Sequence, residues 1–182
     1  DVLRKLAQDV VLFDQTACSS PQVVVLEKGA VSARRFAEAL SRGFEALPTK
    51  LRRTQMPERQ CLEVISARGT YLLSEDRDIV MPQDLGWTIL IDREEGLPEP
   101  VQGRCVFVRE VNDLNDVMAH ITRKVQTIAL CIRDREKARA FADGASAAGV
   151  DRFVMPGEMH DFTLPWDGIM PLNRMVRWIT IR

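Results

Sequence analysis

The sequence has no apolar run of about 18 residues, the length a membrane-spanning helix needs. Its opening stretch DVLRKLAQDVVLF carries charges among its apolar positions, which a secretory signal peptide does not. Neither sign of charge dominates: 25 basic and 26 acidic residues leave a net charge of −1. Nothing in that balance offers a footprint for nucleic acid or an anionic membrane surface. The cysteines Cys18, Cys61, Cys105 and Cys131 form no C-x-x-C pair, and the only histidines, His120 and His160, fall at no zinc-finger spacing. A metal site is therefore not expected, and a chain with this much core needs no disulfide framework. Repeats and low-complexity tracts are also absent. Together these absences describe a reduced, cytoplasmic protein.

What is present is an ordinary globular composition in 182 residues, 46% of them apolar, enough for one domain with a real core. The chain opens at Asp1 without a methionine and enters a helical pattern at once, as a piece of a longer protein would. Val2, Leu3, Leu6 and Val10 recur at helical spacing and predict an amphipathic helix ending near Phe13. QVVVLE predicts a strand, and Phe36, Leu40, Phe44 and Leu47 predict a helix that Pro48 ends. Pro57 opens another, with Leu62, Ile65 and Leu72 as its expected apolar face.

From residue 77 the pattern turns to strands: DIVMP, WTILID and CVFVREV. Asp113 reads as an N-cap for a stripe of Leu114, Val117, Met118, Ile121 and Val125. TIALCIR then predicts a buried strand, Asp134 caps an alanine-rich helix that stops at Gly149, and DRFVMPG follows as a strand. Strand, helix and strand in that order imply a parallel crossover, hence an α/β domain. After Gly157 the patterning fails, and EMHDFTLPWDGIMPL reads as a long loop too apolar for disorder.

The chemistry concentrates at FDQTACSSPQVVVLE. Cys61, Cys105 and Cys131 lie inside strand or helix patterns and read as packing residues. Cys18 instead stands among small polar residues in a turn that feeds a buried strand, where α/β folds present catalytic groups. Successive N–H groups of such a turn suit an oxyanion formed when a thiolate attacks a carbonyl. His120, among Asp116, Arg123 and Lys124, reads as a solvated surface histidine, whereas His160 lies in the long loop. A Cys-His hydrolase is one chemistry these residues leave open.

FDQTACSSPQVVVLEKG resembles the nucleophile segment of the LuxC-type bacterial fatty acyl-CoA reductases, a branch of the aldehyde dehydrogenase superfamily. Gln15 stands three residues before Cys18, where many aldehyde dehydrogenases have it two before; the spacing favours the reductase branch. GVDRFVMPGEMHDFTLPWDGIMPLNRMVRWITI resembles the C-terminal segment of the same reductases, in which a strand, a Pro-Gly turn and an Asp-Gly pair precede an L-x-x-x-V-R-W stretch. Relatives often have a histidine before that pair; here it is Trp166, with His160 nearby. The resemblance covers essentially the whole chain.

It implies an aldehyde-dehydrogenase-like catalytic domain over residues 1–182, with a largely parallel sheet flanked by helices, working as a homo-oligomer. It implies that the Cys18 thiolate takes an acyl group from acyl-CoA or another activated donor, and that NADPH reduces the thioester to an aldehyde. Gln15, Ser19, His160, Asp167 and Gly168 become the expected oxyanion or cleft neighbours. The glycines are scattered singly and no G-x-G-x-x-G occurs, so no cofactor-binding residue is expected in this chain. Two other readings stand beside this one: a CoA-acylating aldehyde dehydrogenase acting on a shorter chain, and a dehydrogenase domain kept for oligomer contacts.

Overall fold

Alternate residues of the β-branched runs face two different helical layers. The computed structural model describes every residue except Ala30, Thr54, Asp167, Trp178 and Arg182. Asp167, expected at the site, and Trp178 of the closing Val-Arg-Trp stretch thus lie outside the described residues. In chain order the elements are α1 (Val2–Val11), β1 (Val23–Glu27), α2 (Ala33–Glu45), α3 (Glu58–Leu72), β2 (Asp78–Val80), β3 (Thr88–Asp92), β4 (Cys105–Val111), β5 (Thr127–Ala129), α4 (Arg135–Ala148), β6 (Arg152–Val154) and α5 (Pro171–Met175).

The main sheet has the order β1-β4-β3-β2. Its first three strands are parallel, with Val23 opposite Phe107 and Leu90 opposite Phe107 on the other side, and β2 is an antiparallel edge. The period of two divides each strand cleanly. Ile89, Ile91, Val106 and Val108 join α1 and α2 in one core, built on Leu6, Val10, Leu40 and Phe44. Leu90, Cys105 and Phe107 point the other way, toward Tyr71 and Ala67 of α3. Helices on both faces of a largely parallel sheet make this an α/β fold of the expected class.

Helix α1 reaches its core through a close approach at Gly43. A Cβ there would lie 2.8 Å from the Leu3 carbonyl oxygen, so only glycine lets the two helices meet at this distance. Strands β5 and β6 pair in parallel across α4, with Ile128 opposite Phe153, as the crossover pattern requires. Asp134 caps α4 by accepting from the Glu136 and Lys137 N–H groups, and Gly149 ends it at φ +112°.

Three expectations need correction. On α3 the buried residues are Val64, Arg68 and Tyr71, while Leu62, Ile65 and Leu72 are exposed. Both sets fit a helical period, and polar satisfaction decides between them. The Arg68 guanidinium donates to Thr88 Oγ1 at 2.9 Å and to the Asp84 and Trp87 carbonyls at 2.8 Å. Tyr71 donates its hydroxyl to the buried Asp92 carboxylate. Second, the stripe from residue 114 forms a 3₁₀ turn, Leu114–His120, that begins at an Asp113 capping box, and Ile121 beyond it is already extended. Third, β5 ends at Ala129, leaving Cys131 past the strand and exposed.

Candidate active site

The turn that carries Cys18 is made by backbone that most residues avoid. After α1 ends, Phe13, Asp14 and Gln15 take φ of 55°, 49° and 65°. Left-handed conformation costs a non-glycine residue about 1–2 kcal/mol, so such a run persists only where side chains hold it. Gln15 is buried and its amide is fully engaged: Nε2 donates to the Pro21 carbonyl at 2.6 Å and the Cys105 carbonyl at 2.8 Å, while Oε1 accepts from the Cys105 N–H at 2.8 Å. Asp14 Oδ1 accepts from Arg104 Nε at 2.7 Å and from Arg53 Nη2 at 3.1 Å. A second left-handed run, Gln102, Gly103 and Arg104, supplies that arginine.

Past the clamp, Thr16 Oγ1 donates to the Phe13 carbonyl at 2.6 Å, and the Ser20 N–H donates to the Ala17 carbonyl at 3.0 Å. Cys18 and Ser19 are therefore the central pair of a tight turn, with Cys18 exposed and Ser19 buried. Among the described residues, no acceptor engages the N–H groups of Ala17, Cys18 or Ser19. An exposed thiol beside unengaged donors is what addition of a thiolate to a carbonyl requires.

The other three cysteines have different settings. Burial pushes the Cys105 thiol up to about 12 against the smaller opposing pull of Arg68, which keeps it protonated and unreactive. Cys61 is half-buried with its Sγ 3.8 Å from the Met56 carbonyl oxygen. Cys131 is exposed beyond β5, outside any such turn.

The long loop reaches the turn through His160. Its Nδ1 lies 3.0 Å from Ser19 Oγ, its Nε2 lies 2.8 Å from the Asp9 carbonyl oxygen, and its ring meets Phe13 edge-on at 5.2 Å. Asp9 stands in the last turn of α1, whose terminal carbonyls have no partner within the helix. Its buried carboxyl has a raised pKa, chiefly from desolvation, opposed by the hydrogen bond from the Gly157 N–H. Arg152 fixes the same loop by donating to the Met159 and Asp161 carbonyls.

Of the expected site residues, the structure gathers Gln15, Ser19 and His160 around Cys18. Gln15 turns inward and holds the turn, with no face toward a cleft. Gly168 lies against Asp151: a Cβ on it would be 2.7 Å from Asp151 Oδ1. Trp166 packs over the Arg152 guanidinium at 4.6 Å and against Phe162. The residues that sequence reasoning missed are Asp9, Asp14, Arg53, Arg104 and Arg152. All act through hydrogen bonds between segments far apart in the chain, and no periodicity announces them.

A cleft of about 630 Å³ lies past the C-terminal ends of β1, β3 and β4, lined by Lys28, Arg93, Glu94, Glu110 and His120 among others. The cysteine turn feeds the opposite, N-terminal end of β1, so this cleft is not its site. Helix N-termini are where pyrophosphates are held. Here the Glu110 carboxylate accepts from the Ala33 N–H at the start of α2, Asp134 caps the start of α4, and α3 has Glu58 in its first turn and no side-chain cap. Among the described residues, no group of three or more His, Cys, Asp or Glu is arranged to hold a metal ion, and no helix is long and apolar enough to cross a membrane.

Residues 1–178 match the family model described as Acyl-CoA reductase (LuxC). The chain is 27% identical over 187 aligned positions to the long-chain acyl-protein thioester reductase of Vibrio harveyi, and 24% identical over 190 to that of Aliivibrio fischeri. In both cases 96% of this chain is covered but only 36% of the relative, so the chain spans about a third of their length. Among solved structures it is similar to an aldehyde dehydrogenase from Brucella melitensis biovar abortus 2308, with a TM-score of 0.64 and 12% identity over 85% of this chain and 35% of that one. An NAD-dependent benzaldehyde dehydrogenase from Corynebacterium glutamicum gives 0.62 and 14% over 85% and 36%. At these identities the structural likeness establishes the fold, that of the aldehyde dehydrogenases.

Proposed function

This chain belongs to the acyl-CoA reductase (LuxC) family, and on that premise we propose that Cys18 is the nucleophile of a reductase that converts a fatty acyl thioester to an aldehyde. The observation that carries this reading is the exposed Cys18 at the head of a clamped turn, beside the unengaged N–H groups of residues 17 to 19. The Cys18 sulfur attacks the carbonyl carbon of the acyl donor. The bond from that carbon to the donor's thiol sulfur breaks, and the thiol leaves with the proton that Cys18 gave up. Oxygen charge that develops on the way falls to the turn's own N–H groups.

A thiol suits this chemistry because the product is a thioester, whose carbonyl remains electrophilic enough to be reduced. Conversion of that thioester to an aldehyde and free Cys18 consumes one hydride equivalent and one proton. We assign the reductant to NADPH, held mainly by a part of the protein beyond these 182 residues, a reading supported by relatives of which this chain spans about a third. The acyl donor in this reading is a long-chain acyl thioester, acyl-CoA or its protein-bound counterpart.

The test is turnover in the full-length protein, supplied with long-chain acyl-CoA and NADPH and assayed for aldehyde. The wild type forms aldehyde and Cys18→Ala forms none. Turnover retained by Cys18→Ala removes Cys18 from the chemistry.

A further inference from the structure

We propose that His160 is the positioning residue of the nucleophile turn, acting through the Ser19 hydroxyl to fix the backbone beside Cys18. The proposal rests on the reading of Cys18 as nucleophile and adds a role that neither periodicity nor motif assigns.

The hydrogen-bond polarity at His160 Nε2 is determined by its partner. A backbone carbonyl only accepts, so Nε2 at 2.8 Å from the Asp9 oxygen carries the proton. In the neutral ring Nδ1 then has a lone pair, and Ser19 Oγ, 3.0 Å away, donates to it. Ser19 is buried, and His160 is the one partner of its hydroxyl among the described residues. The imidazole bridges the C-terminal turn of α1 to the residue next to the nucleophile.

The half-buried imidazole sits in a loop held by several contacts. Arg152 donates to the carbonyls of Met159 and Asp161, which flank it in sequence. The Gly157 N–H donates to the Asp9 carboxylate, tying the loop to the helix whose carbonyl His160 uses. Gly157 takes φ +101°, and a Cβ on it would lie 2.9 Å from Lys5 Cβ, so the loop lies directly against α1. Phe13 meets the ring edge-on. A side chain fixed this firmly transmits its position to Ser19.

Fixing Ser19 matters because it shares a peptide plane with Cys18. The Ser19 N–H in that plane is one of the unengaged donors, and its direction decides whether it meets an oxyanion formed at the Cys18 sulfur. Donors aligned in advance lower the barrier to acyl transfer more than they tighten the binding of substrate. The Ser19–His160 bond should therefore govern the rate of acylation and leave the Michaelis constant nearly unchanged.

Two conservative variants separate this role from simple anchoring of the loop. His160→Asn keeps an acceptor at the Nδ1 position for Ser19 and loses the donor to Asp9. His160→Gln keeps a donor near the Nε2 position and loses the acceptor for Ser19. The measurement is the rate of Cys18 acylation by long-chain acyl-CoA in the full-length protein, with thermal melting followed in parallel.

His160→Gln and Ser19→Ala should each slow acylation roughly tenfold, from loss of one buried hydrogen bond, with KM unchanged. His160→Asn should stay close to wild type. The double variant Ser19→Ala, His160→Gln should be no slower than either single one, because both remove the same bond. Undiminished acylation in His160→Gln, or a Gln variant faster than the Asn variant, overturns the role of His160 while leaving Cys18 in place. Acylation of the wild type at a residue other than Cys18 overturns the nucleophile reading itself.

Discussion

Gln15 and Cys105, ninety residues apart, exchange hydrogen bonds in both directions: the Gln15 amide donates to the Cys105 carbonyl and accepts from the Cys105 N–H, each at 2.8 Å. The side chain takes the place of a neighbouring strand just where β1 stops pairing with β4, whose ladder with it begins at Val23 opposite Phe107. It also holds the Pro21 carbonyl, so one amide closes the loop from Phe13 to β1. Replacing Gln15 by Ala removes three buried hydrogen bonds, of which only the Cys105 N–H has another acceptor, the Gln102 carbonyl at 3.2 Å, and should cost about 2–3 kcal/mol. Gln15→Glu should be no better, because its carboxylate meets two carbonyl oxygens. Urea unfolding measures both, and a loss under about 1 kcal/mol would mean the clamp is dispensable.

The Asp14 carboxylate is shared by two arginines whose side chains are 6% and 9% exposed, Arg53 and Arg104. Burial already lowers the Arg53 pKa, with Asp14 as the main opposing influence. Removing the carboxylate leaves two close guanidiniums without an anion. Asp14→Ala should cost about 2–3 kcal/mol, and Asp14→Asn less, since the amide oxygen still accepts. Equal unfolding midpoints for both variants and the wild type would show that this charge cluster does not stabilise the turn.

Asp9 gives the fold a pH dependence of defined sign. Its carboxyl has a pKa raised above the ordinary 3.8, first by desolvation, so the native state holds the proton more tightly than the unfolded chain. Stability attributable to Asp9 therefore falls as pH rises from 3.8 through the raised native value. Asp9→Asn, which keeps an acceptor for the Gly157 N–H, should be at least as stable as wild type at neutral pH. The advantage should shrink as the solution is acidified into the carboxylate range. A variant less stable at neutral pH, with the deficit vanishing in acid, would reverse the assignment.

The helix N-termini of this chain predict weak cofactor binding. Calorimetric titration of the 182-residue chain with NADPH should show no saturable binding at micromolar concentrations. Micromolar affinity would place a dinucleotide site among these residues, despite the carboxylates at the starts of α2, α3 and α4.

Much of the fold was legible because it follows from local pattern. The β-branched runs at residues 23–27 and 105–111, the Asp134 cap and Gly149 at the end of α4 all stand where spacing and turn chemistry put them. The apolar face of α3 was misjudged because two faces of that helix carry large residues, and the polar needs of Arg68 and Tyr71 chose between them. At the site, the polar setting of Cys18 was visible as composition. The pairing of Ser19 with His160, 141 residues away, was not, because it depends on a loop held by Arg152 and Asp9 rather than on any repeat in the chain.

The most direct test of the central claim is peptide mapping after a single exposure of the full-length protein to long-chain acyl-CoA without reductant. Mass spectrometry should find one acyl group, on the peptide carrying Cys18, released by hydroxylamine as a thioester is. Cys105 should remain unmodified, its thiol pushed up to about 12 by burial. An acyl group on exposed Cys131, with Cys18 left free, would contradict the account.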